Sequence, residues 1–264
     1  MKWSNQPPSD RALIRQQFTR TRPYADLYEG ASSNAHFFKT RLRWVRELVS
    51  ECPPGKVLDV GCGPALAFEH LLERGFECVG VDQSESMIKE CRRRYGNHAS
   101  ARFAVGDVQS LAYPSSCFDV ILCLGVLEYV DADVALRELA RVLKPRGVLV
   151  TSMHNEWSPY RLWERAVYAR ARTLLRAVRG EPAPAEAALR TCSARKLQLM
   201  LERHGLEVVD RVYYDFNLFV PPLDQYRPAL AFSVSERLES LARTPLQRLG
   251  RAFLLKASKA GSRS

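Results

Sequence analysis

Three aspartates and two glycines in the first half of the chain have types and spacing suited to holding a ligand. "VLDVGCGPA", Val57 to Ala65, is an apolar run that ends in Asp59 and then Gly61 and Gly63. Glycines there let the backbone approach a ligand closely and take φ values that a β-carbon disfavours. A helix starting near Ala65 would aim its free amides at the same ligand. Asp82 closes the next apolar run, "FECVGVD", 19 residues beyond Gly63. A carboxylate at that position can accept both hydroxyls of a ribose. Asp107 closes a third run, "ARFAVGD". One such aspartate would read as a turn residue. Three of them at successive run ends, beside a glycine turn, read as one binding edge.

The same residues constrain the ligand. A dinucleotide fingerprint needs a third glycine at position 66, which is Leu66. Asp59, directly ahead of the loop, would repel a diphosphate. A nucleoside with a cationic end fits this set better than a dinucleotide.

The elements that must position these residues follow a regular alternation from Lys56 to Thr151. "KVLDV", "FECVGVD", "ARFAVGD", "CFDVILCLG" and "VLVTSM" read as strands rich in Val, Ile and Leu. "ALAFEHLLERG" reads as a helix stopped by Gly75, and "SESMIKECRRRYG" as a helix capped by Ser84. "DADVALRELARVLKPRG" reads as a helix that ends before Pro145. Strands buried on both faces and separated by helices predict a doubly wound, parallel α/β sheet. Its ligand crevice lies outside the carboxyl ends of the strands, where the three aspartates fall.

Taken together, "VLDVGCGPA", "VGVDQS", "FAVGDVQSLAYPSSCFDVILCLGVLEYV" and "ELARVLKPRGVLVTS" resemble the class I S-adenosylmethionine-dependent methyltransferases. Within that family the likeness is to the small-molecule group that includes quinone-biosynthesis enzymes, and it covers about residues 55 to 152. The resemblance implies a seven-stranded Rossmann-like sheet of order 3-2-1-4-5-7-6 with the last strand antiparallel. "LEVVDRVYY" and "RAFLLKASK" look like its sixth and seventh strands. It also implies S-adenosylmethionine as cofactor. Asp59, Gly61 and Gly63 would line its methionine end, Asp82 the ribose, and Asp107 and Val108 the adenine. Leu124 and Gly125 would sit near the sulfonium. Ala65 is a departure, because many members carry a third glycine there.

Transfer of a methyl group to oxygen or carbon can need a base. His154, after the fifth strand, and Glu128 and Tyr129, after the fourth, are the candidates. The fourth strand runs into "CLGVLEYV" and lacks the Asn/Asp-Pro-Pro-aromatic tetrapeptide of many methyltransferases that act on nucleic-acid or protein nitrogen. A DNA amino-methyltransferase is therefore disfavoured, despite a net charge of +10.

The flanks bear on the acceptor. Residues 1 to 50 read as a helical cap in which Phe38, Leu42, Val45 and Val49 share a face. A methyltransferase domain follows over 51 to 258, with insertions at about 156 to 190 and 215 to 250, then a tail from 259 to 264. In "RLWERAVYARARTLLRAVRG", an ideal helix puts Arg161, Arg165, Arg172, Arg176 and Arg179 on one stripe. Such a basic amphipathic helix suits an anionic membrane, an acidic carrier protein or a solvated lid. "EPAPAEA" reads as a linker. "FNLFVPPLDQYRPALAF" reads as an irregular apolar wall containing Tyr226 and Phe232. These pieces predict a covered, greasy acceptor pocket for a lipid-, quinone- or polyketide-like molecule.

The chain has 264 residues, 46% hydrophobic and 26% charged, as in a globular domain with elaborations. No apolar run is long enough to span a membrane, and the N-terminus carries no apolar signal core. Seven scattered cysteines, with no zinc-type spacing, predict reduced core thiols in the cytoplasm and no metal site. The sequence thus predicts an enzyme that methylates a hydrophobic small molecule, most simply at oxygen. An RNA-directed methyltransferase using the basic helix and a non-catalytic cofactor-binding subunit are the alternatives. Oligomeric state is left open.

Overall fold

The computed structural model describes residues 33–180 and 190–261. The expected linker and most of the expected cap lie outside them. A helix, α1 (Ser33–Leu48), precedes the alternating units β1 (Lys56–Val60), α2 (Phe68–Glu73), β2 (Glu77–Asp82), α3 (Glu85–Tyr95) and β3 (Ala101–Val105). There follow β4 (Phe118–Leu124), α4 (Ala132–Val142) and β5 (Leu143–His154). After β5 come α5 (Pro159–Trp163), a π-helical turn (Glu164–Tyr168), α6 (Ala169–Arg179) and α7 (Ala194–Arg203). The chain ends with β6 (Leu206–Tyr214), α8 (Leu223–Tyr226), α9 (Pro228–Leu238), two 3-10 turns (Glu239–Arg243 and Pro245–Leu249) and β7 (Ala252–Lys259).

The strands form one sheet in the order β3-β2-β1-β4-β5-β7-β6. β1 to β5 are parallel, and β7 runs antiparallel to both β5 and β6. This is the doubly wound seven-stranded arrangement expected from the sequence. Val57, Leu58 and Val60 of β1 and Ile121, Leu122 and Cys123 of β4 are fully buried, as strands covered on both faces must be. The Ser84 hydroxyl accepts from the Met87 amide and caps α3. All seven cysteines are free thiols, six of them buried.

Four local readings change. The helix after the glycine turn starts at Phe68, not near Ala65, because Ala65 itself takes a φ of +54° and holds the chain in a turn. The α1 face is rotated from the expected stripe. Phe37, Trp44, Val45 and Leu48 are buried together with the polar His36, Thr40 and Arg41, while Phe38 and Leu42 are only partly covered. His36 can be buried because Asp215 pairs with it from across the fold, and Thr40 lies against His36. The "FNLFVPPLDQYRPALAF" wall is largely helical, and Tyr226 points to solvent. Last, a π turn at Glu164–Tyr168 interrupts the basic helix, so the single pitch assumed for the arginine stripe does not run through it.

A buried ionic cluster fastens α1 to the far side of the sheet. His36 Nδ1 lies 2.8 Å from Asp215 Oδ1, and Arg251 pairs with the other carboxylate oxygen. Glu239 Oε1 accepts the Asp215 amide at 2.7 Å, and its Oε2 accepts from the Trp44 indole at 3.3 Å. Burial pushes the Asp215 carboxyl up, but Arg251 and His36 outweigh this and hold it below its usual range.

Two stability predictions follow from these features. Arg251→Met leaves the buried Asp215 carboxylate with His36 as its remaining cationic partner in the cluster, and urea unfolding should report a loss of about 3 kcal/mol. Ala65→Gly relieves a left-handed alanine and should raise stability by about 1 kcal/mol.

Candidate functional site

The glycine turn is held open by its neighbours. The Gly61 and Cys62 amides donate to the Val81 carbonyl at 2.7 and 3.2 Å, and the Gly63 amide donates to Asp82 Oδ2 at 2.9 Å. Both glycines have positive φ, +63° and +51°. A β-carbon on Gly61 would fall 2.3 Å from Val126 Cγ2, so glycine is required there for space as well as conformation. Asp82 Oδ1 accepts the Ser84 amide at 2.8 Å, which fixes the carboxylate plane. Burial raises the Asp82 carboxyl against the lowering effect of those two amides.

These residues border a cleft of about 700 Å³ at the carboxyl ends of β1 to β4. Asp82, Asp107 and Val108 line one part of it and Gly61, Gly63, Leu124 and Gly125 another. Asp107 accepts the Gln109 amide at 2.9 Å, and this turn presents the Asp107–Val108 segment to the cleft. A second cleft of about 350 Å³ shares Gly61, Gly63 and Leu124 with the first and is lined also by Asp59, Leu42 and Arg41. All eight residues expected at the cofactor therefore line one or other of two clefts that share Gly61, Gly63 and Leu124.

Arg41 is the member that the sequence did not reveal. It comes from α1, outside the glycine-and-aspartate pattern, and only the rotated helix face brings it over the strand ends. Its Nη1 lies 3.1 Å from where a β-carbon on Gly125 would stand. Burial pushes the Asp59 carboxyl up to about 7, with Arg41 pulling it down and Asp82 pushing it further up. A buried acid beside a guanidinium complements an amino-acid zwitterion: Asp59 for the ammonium, Arg41 for the carboxylate. We propose that S-adenosylmethionine lies with its adenosine toward Asp82 and Asp107 and its amino-acid tail toward Asp59 and Arg41.

The three candidate bases separate. Tyr129 lines the larger cleft. Glu128 and His154 come together instead: Glu128 Oε1 accepts the His154 amide at 2.8 Å and lies 2.6 Å from His154 Nδ1. An oxygen already accepting that amide also accepts Nδ1–H, which leaves Nε2 as the basic nitrogen. Burial lowers the imidazole, only partly offset by Glu128. The Phe37 ring stacks on the imidazole at 5.2 Å and leaves 15% of the histidine side chain exposed. Glu128 Oε2 stands 3.9 Å from a notional Gly125 β-carbon, so this pair backs onto the groove.

Comparison with known proteins agrees with this geometry. Residues 58–151 match the model of a methyltransferase domain family. That match covers about a third of the chain and supports the reading of a class I S-adenosylmethionine-dependent methyltransferase domain with S-adenosylmethionine as cofactor. The chain is similar to a 2-methyl-6-phytyl-1,4-hydroquinone methyltransferase of Synechocystis, 34% identical over 44% of the chain and 38% of that protein. It is also similar to a ubiquinone biosynthesis O-methyltransferase of Bartonella tribocorum, 28% identical over 69% of the chain and 76% of that protein. A relative in Bacillus subtilis, named as the methyltransferase YqeM, is 26% identical over 55% of the chain and 60% of its own length. The chain thus spans less than two thirds of two of these three relatives. Among solved structures the fold is shared with the [4+2]-cyclase SpnF, at a TM-score of 0.64 and 18% identity over 98% of each chain. It is shared too with the magnesium protoporphyrin IX methyltransferase of Synechocystis, at 0.61 and 17% over 95% of this chain and all of that one.

Asp59 makes cofactor binding depend on pH. A ligand ammonium needs the ionised carboxyl, so below pH 7 binding must first expel a proton. Calorimetric affinity for S-adenosylmethionine should be flat above about pH 7.5 and fall by about tenfold per pH unit well below 7. Asp59→Asn should bind more weakly and without that slope.

Proposed function

We propose that this protein transfers a methyl group from S-adenosylmethionine to a hydroxyl oxygen of a hydrophobic, quinone- or lipid-like small molecule. The observation that carries the reading is the buried Glu128–His154 pair behind Gly125, adjoining a groove built for the cofactor. When bound, the cofactor supplies a sulfonium methyl that an acceptor oxygen attacks in line, the C–S bond pair leaving on a neutral thioether.

The residues of this chain have three tasks. Asp82, Asp59 and Arg41 orient the donor, because an in-line displacement depends on alignment. Helix α1 roofs the strand ends with Phe37 and excludes water. His154 Nε2 takes the acceptor proton, while Glu128 holds Nδ1–H and stabilises the imidazolium that forms. The lowered imidazole is neutral at pH 7, as a base must be.

The acceptor class has support from two sides. Aromatic rings line one side of His154: Phe37 stacks on it, and Tyr214 packs on Phe37 at 5.4 Å. The names of two relatives support the reading: one is a 2-methyl-6-phytyl-1,4-hydroquinone methyltransferase and the other a ubiquinone biosynthesis O-methyltransferase. Such acceptors are sparingly soluble, so the protein must meet them at a membrane or on a carrier.

Incubation of an extract with methyl-labelled cofactor should put label into the organic-extractable fraction. Label confined to RNA, with salt-sensitive RNA binding, would overturn the reading. His154→Ala should lower kcat by about a hundredfold or more while leaving cofactor affinity unchanged.

A further inference from the structure

Helix α6 lies on the surface of the described residues. No residue of α6 or of the π turn before it is buried. Within α6, Ala171, Leu174, Leu175 and Val178 follow an i, i+3, i+4, i+7 pattern and form one apolar face. Leu174 is 68% exposed and Val178 78%, values that an apolar helical face does not keep in water without reason. Arg172, Arg176 and Arg179 follow the complementary i, i+4, i+7 pattern on another side. From 161 to 179 there are six arginines and one acidic residue, Glu164. Glu164 is already paired with Arg161 at 2.5 Å.

The apolar surface continues beyond the helix. The Trp163 indole donates to the Pro221 carbonyl at 2.9 Å, and the Tyr160 hydroxyl donates to Asp224 at 2.8 Å. These bonds bring the turn carrying the exposed Leu223 and Tyr226 beside the end of α5. Trp157, on the approach to α5, is 66% exposed. Exposed tryptophan, tyrosine and leucine flanked by arginine are the residue types that partition into a lipid headgroup region.

We propose that α6, with the Trp157–Trp163 approach and the Leu223–Tyr226 turn, is a docking surface for an anionic lipid bilayer. Charge decides the occupant: α6 offers arginines and no acidic residue of its own to pair with a second copy of itself, and a net charge of +10 adds long-range attraction. The apolar stripe, about 10 Å long from Ala171 to Val178, supplies the shallow insertion that charge alone lacks. No described helix is long and apolar enough to cross a membrane, so the contact is with the surface. The inference stands on the surface itself and does not depend on which acceptor is methylated.

The test is co-sedimentation of the full chain with phosphatidylcholine vesicles, with and without phosphatidylglycerol. The protein should pellet with the anionic vesicles alone, release as salt rises, and show a blue-shifted tryptophan emission. Arg172→Glu/Arg176→Glu/Arg179→Glu should weaken binding roughly a hundredfold. Leu174→Ser/Val178→Ser should weaken it about tenfold. Both variants should keep wild-type affinity for S-adenosylmethionine, which shows that they are folded. Equal binding to neutral vesicles, no binding, or binding unchanged in both variants would overturn the proposal. So would a wild-type dimer that Leu174→Ser/Val178→Ser dissolves, or capture by an acidic carrier protein in place of vesicles.

Discussion

One hydrogen bond governs the site. The Gly63 amide donates to Asp82 across two adjacent strand ends, and that bond decides where the glycine turn stands. Because Asp82 must accept from both Gly63 and Ser84, its carboxylate is fixed before any ligand arrives. The turn in turn needs left-handed backbone at Gly61, Gly63 and Ala65, and so α2 starts late and short. The space left between the turn and β4 is the groove. A ligand there meets a rigid edge, so little ordering remains to oppose binding.

The second constraint is electrostatic. Asp59 is buried at the end of β1, where its own charge is unfavourable. Arg41 offsets that penalty, and α1 carries Arg41. The helix is held by His36, Asp215, Arg251 and Glu239, none of which lines the cofactor clefts. The proposed roof over the acceptor side and the proposed clamp on the cofactor tail are therefore one mechanical unit. A change in the ionic cluster should reach the cofactor through α1 and not through the sheet.

The sheet was legible because its signals are local and repeated. "KVLDV" and "FDVILCL" carry their burial in their composition, and Asp59, Asp82 and Asp107 mark the strand ends directly. Arg41 was not legible, because nothing in "HFFKTRLRWVRELVSE" distinguishes an arginine aimed at a site from one aimed at solvent. The rotation that buries it comes from tertiary partners such as Asp215, 179 residues beyond His36. The π turn was hidden for a similar reason, since a helical wheel assumes one pitch throughout. Glu128 and His154 were each legible as candidate bases, but their pairing was not, nor was the position of Tyr129 in the other wall. Tyr226 was expected inside on composition alone and sits outside, because α8 turns it to solvent.

The central claim is that Asp59, Asp82 and the glycine turn select a sulfonium nucleoside over a dinucleotide. Calorimetric titration of the purified protein with S-adenosylmethionine and, separately, with NAD tests it most directly. The account predicts saturable one-to-one binding of S-adenosylmethionine and none of NAD. Saturable NAD binding, with no heat from S-adenosylmethionine, would contradict it.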